Sequence, residues 1–465
     1  MKILSAIKSR IVFKLAAELP QLRDVLSQGN IEEAQKIIDR VNSYNGDPQA
    51  LELPEVLNVE DFINSCDYSY YHEKALSLIL DGKYGVEFFF AGAATRLRNS
   101  LERVLGKERA QKLAGPMYFV DIWAIAEALG YKLPEYALKG VGMGPRQFLQ
   151  LNTVLTQLAL QAGVEPREVL SKQKIILHIN SGIEERVRRD LVEHNFYGFN
   201  PQNIIFVVQP VLPGFKIEKD QVIPVVESPK YPYGHGYAFQ QLLTSGVSYY
   251  IDRENRATYL DRNALEFLEN SGVEILAMGR INDLTKFTSQ ILDIDKISFA
   301  LRLIEQGYNI VTEIVYNPQQ QKGGFFFKDM QSGKQFFLEG LSLNTPELEQ
   351  RVEELREKVS KEASPSLPNS VSRTYFEIHG LQNILSENLP LNLRIRGRGC
   401  LYPELLWGDV TRSRYAKTAG IMKGEEFIQD FKELKDLSLA VNYLSVQDAN
   451  SRFREITFTF IKNPQ

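Results

Sequence analysis

The sequence contains little cysteine, since Cys66 and Cys400 are the only two in 465 residues. Two cysteines so far apart support neither a disulfide framework nor a zinc site, and the reducing cytoplasm is the simplest compartment to expect. A surplus of positive charge is also missing, because the formal net charge is −4 and the isoelectric point is near 5.9. This balance gives no electrostatic reason to expect nucleic acid as a partner.

Long hydrophobic runs are absent as well. No window offers about 18 uncharged apolar residues, so no membrane span is expected. Residues 1–20 alternate basic residues with short apolar groups and do not reach the hydrophobic core of a signal peptide. Lys2, Lys8, Arg10 and Lys14 suit the solvated face of a packed helix better than a weakly membrane-bound helix.

The length and the periodicity of the sequence predict several domains. A chain of 465 residues is too long for one hydrophobic core. Apolar residues recur at three- and four-residue intervals up to residue 80, which predicts a helical N-terminal region over 1–80. From residue 86 short apolar runs alternate with helical patterns, which predicts an α/β domain over 81–362 with a doubly wound, mixed, mainly parallel sheet. Residues 363–369 are rich in Ser and Pro and indicate a linker or surface loop, at the start of a small C-terminal region over 363–465.

The short apolar runs locate the predicted strands. These lie at 86–90, 174–179, 204–208, 248–251, 273–278, 310–315, 324–327 and 335–338. Helical patterns cover 147–162, 184–192 and 346–362.

The run Phe88-Phe-Phe-Ala-Gly-Ala-Ala-Thr-Arg96 is the most informative stretch of the chain. Its aromatic start predicts a buried strand, and four small residues then leave room for a ligand to approach the backbone: Ala91, Gly92, Ala93 and Ala94. An anion there would meet backbone N–H groups, with Arg96 supplying a formal charge. The alternative is an ordinary strand that ends in a small-residue turn.

Polar residues end two further predicted strands. Asn180 and Ser181 close an apolar run just before a helical pattern, and they offer either ligand donors at the carboxyl edge of a sheet or a plain helix cap. His178, inside that run, is predicted to be a packed core histidine. Gln209 ends the next strand, and its carboxamide presents the paired donor and acceptor that suit a nucleobase edge.

A loop with two glycines around a histidine follows at Tyr231-Pro-Tyr-Gly-His-Gly-Tyr-Ala238. Gly234 and Gly236 allow positive φ and close backbone approach on both sides of His235. A base or a phosphate can rest on such a loop. The alternative is a tight turn.

Taken in order, these segments resemble the UDP-sugar pyrophosphorylases, a family of UTP-dependent uridylyltransferases that act on glucose 1-phosphate or N-acetylhexosamine 1-phosphate. The first matching motifs are the loop 91–96, Asn180-Ser181, Gln209 to Pro213 and Pro232-Tyr-Gly-His-Gly236. Gln321-Lys-Gly-Gly324 is similar to the family's Lys-Gly-Gly strand. Phe336-Phe-Leu-Glu339 is similar to the family's segment that contacts the sugar. The resemblance spans roughly residues 85–410, and the shared order of the motifs makes it specific.

The resemblance implies a fold of the nucleotide-diphospho-sugar transferase type. It also implies that a sugar 1-phosphate oxygen attacks the α-phosphorus of UTP and releases pyrophosphate, usually with Mg²⁺. The implied partners are UTP and a sugar 1-phosphate. Glucose 1-phosphate is the sugar 1-phosphate expected first. The implied site residues are catalytic Arg96, Lys322 and Arg396; nucleotide-binding Ala91, Gly92, Ala93, Gln209, Gly234, His235 and Gly236; sugar-binding Asn180, Gly324 and Glu339; and metal-binding Asp283.

The chain departs from the family pattern at two positions where charge matters. Met117 stands where the family has a lysine close to the loop, and a thioether supplies no positive charge. The segment Ile281-Asn-Asp283 replaces the family's Ile-Asp-Asn, so the carboxylate is displaced by one position. Either the strand carries a bulge that lets Asp283 face the metal, or Asn282 occupies the metal-facing position. A neutral amide binds Mg²⁺ less well than a carboxylate does.

Further departures affect the sugar and the phosphate. Ser372-Arg373 replaces an Asn-Asn of the sugar site, and Ala94 replaces a loop glycine. Arg394, Arg396 and Arg398 alternate along a strand and would share one face. They either take the place of the family's late phosphate-binding lysine or guard a solvated edge strand.

Two functional hypotheses follow. The chain is either an active but divergent nucleotidyltransferase that makes a UDP-sugar, or a homologue that keeps the fold and the ligand without turnover, as a sensor or scaffold. A nucleotide-sugar-dependent glycosyltransferase is disfavoured, because Asp293-Ile-Asp295 precedes a helical pattern instead of ending a strand.

Overall fold

A computed structural model of the chain describes residues 2–90, 92, 94–285, 291–316, 324–361, 366–397, 399–423, 429–431 and 433–462. Four residues named above lie outside the described residues: Ala91, Ala93, Lys322 and Arg398.

The secondary structure alternates along most of the chain, as the sequence predicts. The described helices are α1 Lys2–Leu15, α2 Leu19–Ser27, α3 Ile31–Asn42, α4 Val59–Ile63, α5 Tyr68–Leu80, α6 Thr95–Leu105, α7 Lys107–Leu113, α8 Ile122–Ala128, α9 Met143–Gln161, α10 Pro166–Lys172, α11 Glu184–Glu193, α12 His235–Gln240, α13 Ala264–Asn270, α14 Ile294–Glu305, α15 Pro346–Lys361, α16 Ile378–Ser386, α17 Leu437–Ala449 and α18 Ser451–Thr457. The described strands are β1 Leu51–Glu52, β2 Val56–Asn58, β3 Tyr84–Phe89, β4 Ile175–Asn180, β5 Ile204–Gln209, β6 Phe215–Glu218, β7 Gln221–Pro224, β8 Ser248–Ile251, β9 Ala257–Tyr259, β10 Ile275–Arg280, β11 Asp283–Leu284, β12 Ile310–Val315, β13 Phe325–Asp329, β14 Gln335–Leu338, β15 Asn369–Glu377, β16 Asn392–Arg396, β17 Cys400–Glu404, β18 Thr418–Met422 and β19 Gln429–Asp430.

Thirteen of the described strands form one central sheet. Its main path is β2-β18-β12-β15-β10-β3-β4-β5-β8-β9, and β13 joins β15 to β1 and β14. Strands β10, β3, β4 and β5 are parallel to one another, as are β2, β18 and β12. Strand β15 runs antiparallel between β10 and β12, and β8 runs antiparallel to β5. The predicted mixed, mainly parallel sheet is therefore confirmed.

The predicted strands lie close to the observed ones. Strands β8, β12 and β14 have the predicted bounds, while β3, β4, β5, β10 and β13 differ by one or two residues at an end. Each of these strands carries the buried aliphatic or aromatic residues that made it recognisable in the sequence.

Helices cover both faces of the central sheet. Val86 and Phe88 belong to a buried apolar cluster that includes residues of α6, α9, α11 and α14. Ile176, Ile205 and Phe376 belong to a second cluster that includes residues of α12, α13 and α16. Two buried layers of this kind are what a doubly wound sheet requires.

The N-terminal helices pack on a smaller sheet. Strands β16, β17, β6 and β7 form it. Buried side chains of α1, α2 and α3, such as Ile11, Leu22 and Ile38, share an apolar cluster with Phe215 and Leu393 of this sheet. Strands β15 and β18, from the region 363–465, lie in the central sheet beside strands from 81–362. The predicted domain boundaries themselves stay a prediction.

Neither cysteine is in a disulfide, with Cys66 exposed and Cys400 buried. Within the described part of the chain, no helix is both long enough and apolar enough to cross a membrane.

Candidate functional site

The carboxyl ends of the parallel strands meet at one edge of the central sheet. Arg280 at the end of β10 lies opposite Phe89 at the end of β3, and Phe89 lies opposite His178 of β4. Asn180 at the end of β4 lies opposite Gln209 at the end of β5. Ligands of open α/β folds bind at this edge, so it is the candidate site.

The small-residue loop predicted to hold phosphate leaves β3 at this edge. Phe90 donates its N–H to the carbonyl of His178 at 2.9 Å, and α6 begins at Thr95. Ala94 adopts φ +47°, a left-handed conformation that costs an alanine roughly 1–2 kcal/mol. A strained residue between a strand and a helix is a common feature of functional turns. Arg96 is exposed in the first turn of α6.

Met117 lies beside this loop, where the resemblance expects a lysine. Its backbone N–H donates to the carbonyl of Gly92 at 2.8 Å. Its side chain is buried, with 4% exposure. The segment expected to bring a positive charge to the loop is therefore present, but it carries an apolar side chain.

The glycine–histidine loop contacts the end of β5 and a second segment, residues 404–408. Gln209 Nε2 donates to the carbonyl of Gly234 at 3.0 Å. The backbone N–H of Trp407 donates to His235 Nδ1 at 2.9 Å, so the proton of a neutral His235 lies on Nε2. Gly236 donates its N–H to the carbonyl of Leu405 at 2.9 Å. Gln209 therefore contacts this loop directly.

Both glycines of this loop are required by the approach of the 404–408 backbone. Gly234 has φ +91°, and a Cβ there would overlap the carbonyl oxygen of Leu405. A Cβ on Gly236 would lie 2.6 Å from the carbonyl carbon of Leu406. The glycines that the sequence associates with ligand approach therefore also let two backbone segments pack together.

Replacing Gly236 with alanine is expected to lower the free energy of unfolding by about 1–3 kcal/mol, the usual cost of inserting a methyl group into a packed region. Chemical denaturation of the purified variant measures it. Gly115→Ala is the matched control, because a Cβ on Gly115 meets nothing within 4 Å. Equal stabilities of the two variants would contradict the close packing of this loop.

Two of the three predicted sugar-binding residues, Gly324 and Glu339, lie together. Glu339 follows β14, and a Cβ on Gly324 would lie 3.2 Å from the Glu339 carboxyl carbon. A Cβ on Gly408 would lie 2.9 Å from Glu339 Oε1. Because Gly408 follows Trp407 directly, the segment 404–408 contacts both the glycine–histidine loop and the Glu339 carboxylate.

Asn180 has a local role at the end of β4. Its Oδ1 accepts the N–H of Gly182 at 2.9 Å, as in an Asx turn. This bond closes the turn before α11 and does not cap the helix, whose N-cap residue is Ile183. Sugar binding by Asn180 stays a prediction.

Asp283, the predicted metal ligand, is fully buried and faces an arginine. Its Oδ1 lies 3.4 Å from Arg280 Nη2, and Gln147 Nε2 donates to its backbone carbonyl at 3.2 Å. In the described ranges, no three His, Cys, Asp or Glu residues are grouped so that they could hold a metal ion. Mg²⁺ prefers unshared oxygen ligands in octahedral geometry, and a guanidinium beside the carboxylate opposes a cation there. The residues at Asp283 do not fit Mg²⁺, and the expectation of this ion stays a prediction.

A buried cluster of charges at the same edge was not found from the sequence. Glu313 Oε2 of β12 lies 2.9 Å from Arg373 Nη2 and 3.0 Å from Lys296 Nζ. Tyr375 donates its hydroxyl to Glu313 Oε1 at 3.1 Å. In the sequence Arg373 stood out only as a departure from the family pattern. Its ion pair with Glu313 could not be predicted, because it joins β15 to β12, which are far apart in the chain.

A second part of this charge cluster begins at Asp293, which caps the N-terminus of α14. Lys423 Nζ lies 3.0 Å from the carboxylates of both Asp293 and Asp295. Burial opposes ionisation of Lys423, but the two carboxylates raise its pKa above the ordinary value. Burial also opposes ionisation of Asp293, yet Lys296 and Lys423 hold its pKa below the ordinary range. The expectation that Asp293-Ile-Asp295 stands at the start of a helix instead of at the end of a strand is confirmed.

The predicted arginine strand lies in the smaller sheet. Arg394 forms an ion pair with Glu404 of the neighbouring strand β17. The Arg396 guanidinium lies 4.8 Å from the centre of the Tyr231 ring and 5.9 Å from that of Tyr402, as in cation–π contacts. Among the described contacts, none joins these arginines to the loop after β3, so a catalytic role for Arg396 stays a prediction. Lys322 is outside the described residues.

No family model matches the sequence, and no curated protein matches it. The fold nevertheless has solved counterparts. A UDP-N-acetylglucosamine pyrophosphorylase from Trypanosoma brucei is similar with a TM-score of 0.59 at 13% identity, over 95% of this chain and 84% of that chain. A UDP-glucose phosphorylase from the same organism has a TM-score of 0.59 at 14% identity, over 93% of this chain and 80% of that chain.

A third similar structure holds a ligand. It is a variant of UDP-glucose pyrophosphorylase from Leishmania major in complex with UDP-glucose, with a TM-score of 0.57 at 12% identity, over 91% of this chain and 79% of that chain. At these identities the similarity concerns the fold. The chain therefore has the fold of the UDP-sugar pyrophosphorylases, as the order of its sequence motifs predicts.

Proposed function

We propose that the chain is a nucleotidyltransferase that forms a UDP-sugar and pyrophosphate from UTP and a sugar 1-phosphate. Glucose 1-phosphate is the sugar that we favour. The observation that carries the proposal is the hydrogen bond of Gln209 to Gly234, at the sheet edge where the small-residue loop also begins. It joins a carboxamide and a flat, close-lying backbone, the combination that a uracil ring needs.

The proposed chemistry requires alignment and positive charge more than covalent participation. A sugar 1-phosphate oxygen forms a bond to the α-phosphorus of UTP, while the bond from that phosphorus to the bridging oxygen breaks and pyrophosphate leaves. From the chain, Arg96 would stabilise the negative charge of the triphosphate at the start of α6, and Glu339 would orient the sugar.

A second candidate function is supported by Met117. The chain has a buried thioether beside Gly92, where a charged side chain would stabilise the triphosphate. Such a site suits a homologue that binds a nucleotide sugar without turnover, as a sensor or scaffold.

One assay separates the two functions. The purified protein is incubated with UTP and a panel of sugar 1-phosphates, with and without Mg²⁺, and pyrophosphate release is measured next to calorimetric binding of UTP and UDP-glucose. Release with one sugar identifies the enzyme and its substrate. Binding without release favours the non-catalytic function, and neither binding nor release contradicts both.

Replacing Glu339 with alanine is expected to raise the KM for the sugar 1-phosphate about tenfold, about 1.4 kcal/mol, while the KM for UTP changes much less. A single carboxylate can accept hydrogen bonds from two sugar hydroxyls, and alanine accepts none. Initial-rate kinetics with each substrate varied in turn measures the effect. The exposed Glu347→Ala is the control, and equal increases in both KM values would argue against a sugar contact.

A further inference from the structure

We propose that Arg280 binds a phosphate of the nucleotide and takes the place of a divalent metal ion in this site. The inference rests on the proposed function, because it assigns a role within nucleotide binding. It starts from the disagreement at Asp283, where a metal ligand is expected and an ion pair with an arginine is found.

The position of Arg280 places it beside the loop that is expected to hold phosphate. Arg280 is the last residue of β10 and lies directly opposite Phe89, the last residue of β3. Only Phe90 and residue 91 separate Phe89 from Gly92. Since β10 and β3 are parallel, the segments that follow them leave the sheet at the same edge, which is the edge of the candidate site.

The surroundings of Arg280 hold it in place and leave part of it accessible. Its side chain is 21% exposed, whereas its partner Asp283 is fully buried. Gln147 Nε2 fixes the turn between them by donating to the carbonyls of Ile281 and Asp283 at 3.3 and 3.2 Å. Strand β11 also pairs Asp283 with Asp430. A guanidinium has five N–H donors, enough to pair with one carboxylate and to bind a phosphate as well.

The balance of charge explains why a metal would be redundant. A buried carboxylate at this position attracts a cation, and Arg280 already supplies one within the chain. Met117, which contacts the loop at Gly92, supplies no charge, and Arg394 and Arg396 lie in the smaller sheet. Arg280 is thus a cation that the pairing of β10 with β3 brings to the end of β3, in addition to Arg96 at the start of α6.

The test measures calorimetric binding of uridine, UMP, UDP and UTP to the full chain, in Mg²⁺ and in EDTA. We expect EDTA to change the Kd of UTP by less than about twofold in the wild-type protein. Arg280→Gln should weaken UDP and UTP binding at least tenfold and leave uridine binding unchanged. Arg280→Lys keeps the ion pair with Asp283 and should retain an intermediate affinity, while the surface variant Arg262→Gln should bind as the wild type does.

Each remaining outcome is decisive. Loss of wild-type UTP binding in EDTA, or equal UTP binding by Arg280→Gln, overturns the role of Arg280 and leaves the proposed function intact. Equal weakening of uridine and UTP shows that Arg280 acts only on the structure of the site, and it also overturns the proposal. A wild-type protein that binds none of the four ligands overturns the proposed function itself.

Discussion

Replacing Asp448 with alanine is expected to lower the free energy of unfolding by about 3–5 kcal/mol, because it leaves the guanidinium of Arg146 buried without its counter-charge. The Asp448 side chain is fully buried and that of Arg146 is 2% exposed, with Arg146 Nη1 2.7 Å from Asp448 Oδ1. Asp448 Oδ2 also accepts hydrogen bonds from Trp123 Nε1 at 2.7 Å and from the N–H of Leu138 at 2.8 Å. Chemical denaturation of the variant measures the loss.

A surface pair provides the matched control. Asp261 Oδ1 lies 3.0 Å from Arg262 Nε and the Asp261 side chain is 80% exposed, so Asp261→Ala should lower the free energy of unfolding far less than Asp448→Ala does. The double variant Arg146→Met/Asp448→Leu should recover much of the loss, since it removes both buried charges together. A loss in Asp448→Ala no larger than that in Asp261→Ala would show that the network is not needed.

This network bears on the domain organisation. Asp448 belongs to α17, near residue 465, whereas Trp123 and Arg146 belong to α8 and α9 of the region 81–362. The C-terminal region 363–465 is thus attached to 81–362 through a buried ion pair as well as through shared strands. We expect a truncation before α17 to expose the Arg146 guanidinium and to destabilise the region 81–362.

The fold was largely predictable because its signals are local. Strands such as β8, β12 and β14 carry short runs of apolar and β-favouring residues. The histidine predicted to be packed in the core, His178, is indeed fully buried, and its Nε2 forms a hydrogen bond with the Glu87 carboxyl group on the neighbouring strand β3. Runs of this kind reveal a strand without any knowledge of its neighbours.

The arrangement of the site was harder to predict because it depends on contacts between distant segments. The insertion of β15 between β10 and β12 brings Arg373 to Glu313, which lies 60 positions away in the sequence. The need for Gly236 arises from Leu406, which lies 170 positions away in the sequence. Arg280 looked like the ordinary end of a strand until its pairing with Asp283 and its place opposite Phe89 were known. Motifs locate candidate residues, but the pairing of strands decides which of them meet.

Replacing Arg96 with alanine is expected to reduce kcat by roughly 100-fold, the usual scale for removing one group that stabilises developing charge. Arg96 is exposed in the first turn of α6, directly after the strained loop residue Ala94 and Thr95. In the proposed reaction the apolar Met117 beside this loop supplies no charge to the triphosphate, so each remaining positive side chain should carry a large share of the effect. Pyrophosphate release at saturating UTP and sugar 1-phosphate measures kcat.

The control for Arg96 comes from the same helix. Arg103 is exposed in the last turn of α6, away from the loop, so Arg103→Ala should keep kcat within about twofold of the wild type. Both variants remove the same charge from the surface, and a difference between them therefore reports the position of the charge rather than its loss. If Arg96→Ala and Arg103→Ala have the same kcat, another side chain supplies the positive charge that stabilises the transition state. Arg280→Gln, measured in the same assay, would then show whether the end of β10 supplies it.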